Sequence, residues 1–72
     1  MNVNLNSLLH QCQIIYKKDD LVVEIWCPNS HIYHLIFQCI DSLTEEMSIR
    51  KFETIRIFVE EELMLSISIK DL

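Results

Sequence analysis

The spacing of apolar residues changes along this chain, and each change marks the edge of an element. Leu5, Leu8, Leu9 and Cys12 recur at i, i+3, i+4 and i+7, which is one face of a helix over about residues 4 to 12. Asn2 or Asn4 can cap its start, because an asparagine side chain accepts a backbone N–H that the first turn leaves free. The period then drops to two. Ile14 and Tyr16 alternate with polar neighbours, and after Lys17, Lys18, Asp19 and Asp20 the alternation resumes at Leu21, Val23, Ile25 and Cys27. A hairpin with a four-residue loop pairs Tyr16 with Leu21 and Ile14 with Val23, and so gathers the apolar set on one face. Aspartate tolerates the left-handed backbone such a turn needs.

Cys27, Pro28, Asn29 and Ser30 end that strand, since proline cannot continue an interior ladder and Asn29 or Ser30 suits an N-cap. Ile32, Leu35, Ile36, Cys39, Ile40, Leu43 and Met47 then trace one helical stripe with His34, Gln38, Asp41 and Glu45 opposite, which predicts a single second helix. From Ile55 on, Ile57, Val59, Leu63, Leu65, Ile67 and Ile69 keep odd parity and are mostly β-branched, so strand is favoured. One strand from Ile55 to Ile69 would run about 50 Å, too far for so short a chain, so a break is needed. A three-residue loop at Glu60, Glu61 and Glu62 pairs Val59 with Leu63 and Ile57 with Leu65, although glutamate suits a left-handed loop position poorly. Two alternatives follow: a bent strand exchanged with a neighbouring subunit, or a helical stripe through Ile49, Phe52, Ile55, Val59 and Leu63.

The order α-β-β-α-β-β implies a two-layer α+β fold over residues 1–72, a single domain whose mixed sheet carries two helices on one face. The other face then holds Ile15, Val22, Trp26, Phe58 and Met64, interspersed with Lys17, Glu24, Arg56, Ser66 and Ser68. Aromatic residues with a few charges are the composition of a binding surface, and Ile15, Val22, Trp26, Arg56, Phe58 and Met64 are its expected contact residues. A half-wet antiparallel face with scattered apolar residues is the plainer reading.

Composition narrows the function. The chain has no glycine, which excludes a phosphate-binding Walker loop, a dinucleotide fingerprint and a nucleophile elbow. Half of its 72 residues are hydrophobic. A domain near this size buries only about 60% of the surface its unfolded chain exposes, so surplus apolar material points to a homo-oligomer, first of all a dimer. The net charge is −5 and the six bases are scattered, which argues against nucleic acid as a partner. Met1 to Leu9 lacks the features of a signal peptide, and the charge-free stretch Ile25 to Ile40 is too short and too polar to span a bilayer, so the expected location is cytoplasmic, without a membrane partner. Cys12, Cys27 and Cys39 are odd in number and irregularly spaced, unlike a secreted disulfide framework.

The Asn-Leu-rich first helix (Asn4 to Leu9), the charged turn (Lys17 to Asp20), the strand ending at Pro28, the amphipathic helix and the Ile/Val-rich strand together resemble a small α-β-β-α-β module of cyanobacterial proteins with no assigned activity. The resemblance covers about residues 2 to 59. Such modules usually continue after the third strand with an aromatic residue and glycine, whereas Val59 here leads into Glu60 to Glu62. It implies an accessory or interaction module and carries over no catalytic residue.

Candidate chemistry is sparse. Cys27, His31 and His34 could contribute to a zinc site with a fourth ligand from elsewhere, but there is no Cys-x-x-Cys pair, and a buried thiol beside surface histidines accounts for them. Cys12 and Cys39 fall on inward stripes, where burial suppresses thiol reactivity. Asp41 and Glu45 are neighbours on a helix surface and read as a solvated face. No catalytic residue, cofactor or metal is assigned. The favoured reading is a non-enzymatic acidic interaction module that self-associates through the sheet's back face or edge and presents an acidic exterior to another protein. The alternatives are an acidic inhibitor or decoy for a basic protein surface and a small metal-binding protein.

Overall fold

Asn4 opens the first helix in the computed structural model, which describes residues 4–69. Its Oδ1 accepts the backbone N–H of Asn6 at 2.9 Å and of Ser7 at 3.4 Å. The other candidate cap, Asn2, lies outside the described residues. Helix α1 (Leu5–His10) is shorter than its apolar spacing predicts. It ends because Gln11 N–H and Cys12 N–H both turn back three residues, to the carbonyls of Leu8 and Leu9, which tightens the last turn.

Strands β1 (Gln13–Lys17) and β2 (Val22–Cys27) form the expected hairpin with a shifted register: Tyr16 pairs with Val23 and Ile14 with Ile25, not with Leu21 and Val23. The loop still has four residues, Lys18 to Leu21, but lies one position further along the chain. Leu21, rather than an aspartate, takes the left-handed backbone at φ 58. Its carbonyl accepts N–H groups from both Glu53 (2.8 Å) and Thr54 (3.2 Å), so a distant segment holds Leu21 in the loop.

Asn29 is the N-cap of α2 (Ser30–Gln38), its Oδ1 accepting Ile32 N–H at 2.9 Å. The single long helix read from the stripe is in fact two. Cys39 leaves helical geometry at φ −106, ψ 21, and its N–H bonds three residues back to Ile36, after which α3 (Ile40–Ile49) begins. Helix α3 closes through a paired end motif in which Phe52 N–H reaches Met47 O and Lys51 N–H reaches Ser48 O, each at 3.0 Å. Lys51, at φ 73, occupies the left-handed position where glycine usually stands.

Strands β3 (Thr54–Val59) and β4 (Glu62–Ser68) follow. Their turn is two residues, not three: Glu60 (φ 51) and Glu61 (φ 68) both adopt the positive φ that a type I′ hairpin requires. Val59 therefore pairs with Glu62 and Phe58 with Leu63, contrary to the expected Val59–Leu63 pair. A bulge then passes over Met64 and restores the expected partnership of Ile57 with Leu65. β4 pairs with β3 of its own chain, and no helix runs through the glutamates.

The sheet order is β1-β2-β3-β4, antiparallel, parallel, antiparallel, so the fold is α+β with a mixed sheet. Helices pack on one face only. Val23, Ile25, Ile55 and Ile57 from the central strands meet Leu8 of α1, Ile32 and Ile36 of α2, and Leu43 and Met47 of α3 in one buried cluster.

Candidate functional site

Successive strand residues point to opposite faces, so the helix-covered row Ile14, Ile25, Ile57, Leu65 has rows of the opposite sense on either side. Gln13, Trp26, Phe58 and Leu63 cross the sheet in one; Ile15, Glu24, Arg56 and Ser66 in the next; Lys17, Val22, Thr54 and Ser68 in the third. Among the described residues no element covers these rows.

Trp26 and Phe58 stack with ring centroids 4.0 Å apart and planes within 5°, the arrangement that a register pair on adjacent parallel strands permits. Both are half-buried. Glu24 explains the indole's orientation. Its side chain is buried, with Oε1 accepting Trp26 Nε1–H at 3.3 Å and Oε2 lying 3.1 Å from Lys17 Nζ. The carboxylate expected on the open face is thus paired and buried. Arg56, opposite Glu24 in the register, is exposed, and its side chain has no hydrogen bond or ion pair among the described residues.

The apolar surface left open on this side is contributed by Ile15 (36% exposed), Leu63 (49%) and Met64 (45%) flanking the stacked rings. Leu63 was assigned to the core by parity and is here because the turn is one residue shorter than expected. Val22 is buried, with little surface left for a partner. Beside Trp26 and Ile15, an open cleft of about 490 Å³ is also lined by Pro28, Glu60 and Glu61.

A second cleft, of about 690 Å³, lies near the β1–β2 loop between Tyr16, Lys18, Leu21, Arg50 and Phe52. Tyr16 and Phe52 form its aromatic wall at 5.6 Å. Arg50 is held there by Glu46 (3.3 Å) and by the Tyr16 hydroxyl (3.3 Å), and its guanidinium sits 5.9 Å from the Tyr16 ring centroid. Its charge is thereby partly spent. Sequence reading missed this site, because Tyr16 and Arg50 are 34 residues apart and meet only through the α3 end motif.

The other candidates disperse. Cys27 is in the core while His31 and His34 are exposed, and no group of three or more His, Cys, Asp or Glu among the described residues is placed to hold a metal. Asp41 and Glu45 border an open cleft with Thr44, Ser48 and Ile69. Cys39 is half-buried at the α2–α3 junction.

Cys12 and Cys27 do come together. Cys12 lies one residue before Gln13, and continuing the β1–β2 register past the Gln13–Trp26 pair sets it opposite Cys27, with the two sulfurs 3.9 Å apart. Burial raises both thiol pKa values, Cys27 to about 12, where the neighbouring Cys12 adds to the shift. At Cys12 the contact with Cys27 opposes the effect of burial.

No helix among the described residues is long and apolar enough to cross a membrane. Compared with protein-family models, curated proteins and solved structures, the chain matches none.

Proposed function

We propose that this chain is a non-enzymatic interaction module that pairs with a second copy of itself through the uncovered face of its sheet. The observation that carries this reading is the continuous apolar strip of Ile15, Trp26, Phe58, Leu63 and Met64 on a face that the chain's own helices leave bare. Water contact with such a strip is costly, and covering it is the available gain.

Pairing through the face is favoured over pairing through an edge. The strand order leaves β1 and β4 at the edges, and β4 carries a bulge at Met64 and a glutamate at its start, features that blunt strand addition. The size of the face sets the strength. Four strands about 4.8 Å apart and about six residues long at ~3.3 Å each give a flat footprint of roughly 400 Å² per copy, or about 800 Å² for the pair, below the roughly 1,000 Å² that a stable specific interface clears. The expected dimer is therefore weak and transient.

Charge complementarity with a basic protein gains less support. Asp19 and Asp20 sit in the β1–β2 loop and Glu60 and Glu61 in the β3–β4 turn, at opposite ends of the parallel pair β2 and β3, so they do not add up to one acidic face. Sedimentation equilibrium tests the proposal. The unsubstituted chain should show a monomer–dimer equilibrium, and Phe58→Glu or Leu63→Glu should shift it to monomer with unchanged circular dichroism. A monomer throughout, or a dimer indifferent to both substitutions, would contradict it.

A further inference from the structure

We infer that Cys12 and Cys27 form an oxidisable dithiol, a modification site that closes into an intramolecular disulfide and clasps the end of α1 to the end of β2. Register, distance and environment all bear on this.

The β1–β2 ladder runs Lys17–Val22, Tyr16–Val23, Ile15–Glu24, Ile14–Ile25 and Gln13–Trp26 without interruption, and the next position on each side is a cysteine. Residues directly opposite in an antiparallel pair have Cα atoms about 4.5–5.5 Å apart, inside the range of about 4.4–6.8 Å that disulfides span. The sulfurs already touch at 3.9 Å. Bond formation requires them to close from there to about 2.05 Å, and Cys12, just before the first residue of β1, is not held by the ladder against that movement. Cys39 is not part of the contact, which leaves the pair chemically distinct from the third thiol.

The two sulfurs divide the labour. Cys12 is half-buried and Cys27 buried, so a small oxidant reaches Cys12 first. With glutathione disulfide as oxidant, Cys12 loses its proton to water and its thiolate attacks one glutathione sulfur, breaking the S–S bond and releasing one glutathione thiolate. Cys27 then gives up its proton and attacks the Cys12 sulfur, expelling the second glutathione. Two protein thiols are oxidised to one disulfide while one glutathione disulfide is reduced to two thiols. Raised thiol pKa values make both steps slow at neutral pH and faster in mild alkali.

The full chain carrying Cys39→Ser is incubated with glutathione redox buffers, quenched in acid, alkylated after denaturation and weighed. The expected product is a monomer lighter by two hydrogen atoms and refractory to alkylation. Its ratio of closed to open form should exceed that of the same chain in denaturing urea at least roughly tenfold, because folding supplies a high effective concentration. Its thermal midpoint should rise by roughly 10–20 °C, as expected for constraining a loop of 15 residues. The unsubstituted chain, oxidised and cleaved after Tyr33 and Phe37 to separate Cys27 from Cys39, should yield the same Cys12–Cys27 link, which covers a folding defect in the variant. Persistent glutathione adducts, a cross-linked dimer, a bond to Cys39, or closure no more favourable than in urea would overturn the inference.

Discussion

Replacing Glu60-Glu61 by Asn-Gly should stabilise this protein, although no contact is added. Both glutamates hold positive φ, at 51 and 68, in the turn that joins β3 to β4. A side chain with a Cβ costs roughly 1–2 kcal/mol in that conformation, so the pair stores about 2–4 kcal/mol. Asparagine visits the region readily and glycine enters it without a steric cost. Glycine's greater freedom in the unfolded chain returns about 0.5–1 kcal/mol of the gain. Asparagine, which still carries a Cβ, keeps part of its own cost, so a net stabilisation of about 1–2 kcal/mol remains, which in a domain of this size is roughly 5–15 °C in thermal midpoint. Urea unfolding followed by circular dichroism should show a higher midpoint with an unchanged slope, since the same surface is exposed. The paired control is Glu60→Gln with Glu61→Gln, which removes the like charges next to Glu62 and keeps both Cβ atoms; it should recover less than a third of the gain. An Asn-Gly variant no more stable than the parent would show that the two positive-φ glutamates store no strain, and a glutamine variant matching it would reassign the effect to charge.

Two further outcomes follow from single contacts. Asn29→Ala removes the acceptor of the Ile32 N–H bond and should cost about 1 kcal/mol in urea unfolding, while Asn29→Asp or Asn29→Ser should restore most of it; equal stability of the alanine variant would contradict the capping role. Burial lifts the Cys27 thiol from 9.0 to about 12, so the folded state keeps a proton that the unfolded state releases above pH 9. The stabilisation is thus complete below pH 9 and is lost as pH climbs towards 12. In reducing buffer, the urea midpoint of the parent should fall more steeply over that window than that of Cys27→Val, and parallel slopes would remove the thiol from the account.

Which face each strand buries was legible from alternation alone, because parity survives a register shift of two. Ile14 and Tyr16 lie on the helix-covered side of the sheet whether they pair with Val23 and Leu21, as the apolar pattern suggests, or with Ile25 and Val23, as they do. Register was not legible, since it depends on Leu21 being drawn into the loop by Glu53 and Thr54, more than thirty residues away. That shift also hid the thiol contact: the expected register sets Cys12 opposite Ile25, and the real one sets it opposite Cys27.

At the other hairpin two departures compensate. The turn is one residue shorter than expected and the bulge at Met64 takes up one residue, so Leu65, Ile67 and Ile69 keep their inward positions while Leu63 alone changes sides. The break at Cys39 left no trace in the pattern, because Ile36 and Leu43 are seven residues apart and hold the same phase in one helix or two. That Trp26 and Phe58 share the bare face was anticipated from strand parity; their stacking was not, because it depends on β2 and β3 being neighbours, which alternation does not fix. Burial of Glu24 was not, because its partners Lys17 and Trp26 become neighbours only once the hairpin and its pleat exist.

The proposed pairing brings two copies together through the sheet face that bears the indole and phenyl rings. Mixing isotope-labelled with unlabelled chains at millimolar concentration and recording only nuclear Overhauser effects between copies tests it most directly. Cross-copy signals should connect Trp26, Phe58, Ile15, Leu63 and Met64 to one another. Signals confined to the helices or to the β1 and β4 edges, or none at all, would contradict the account.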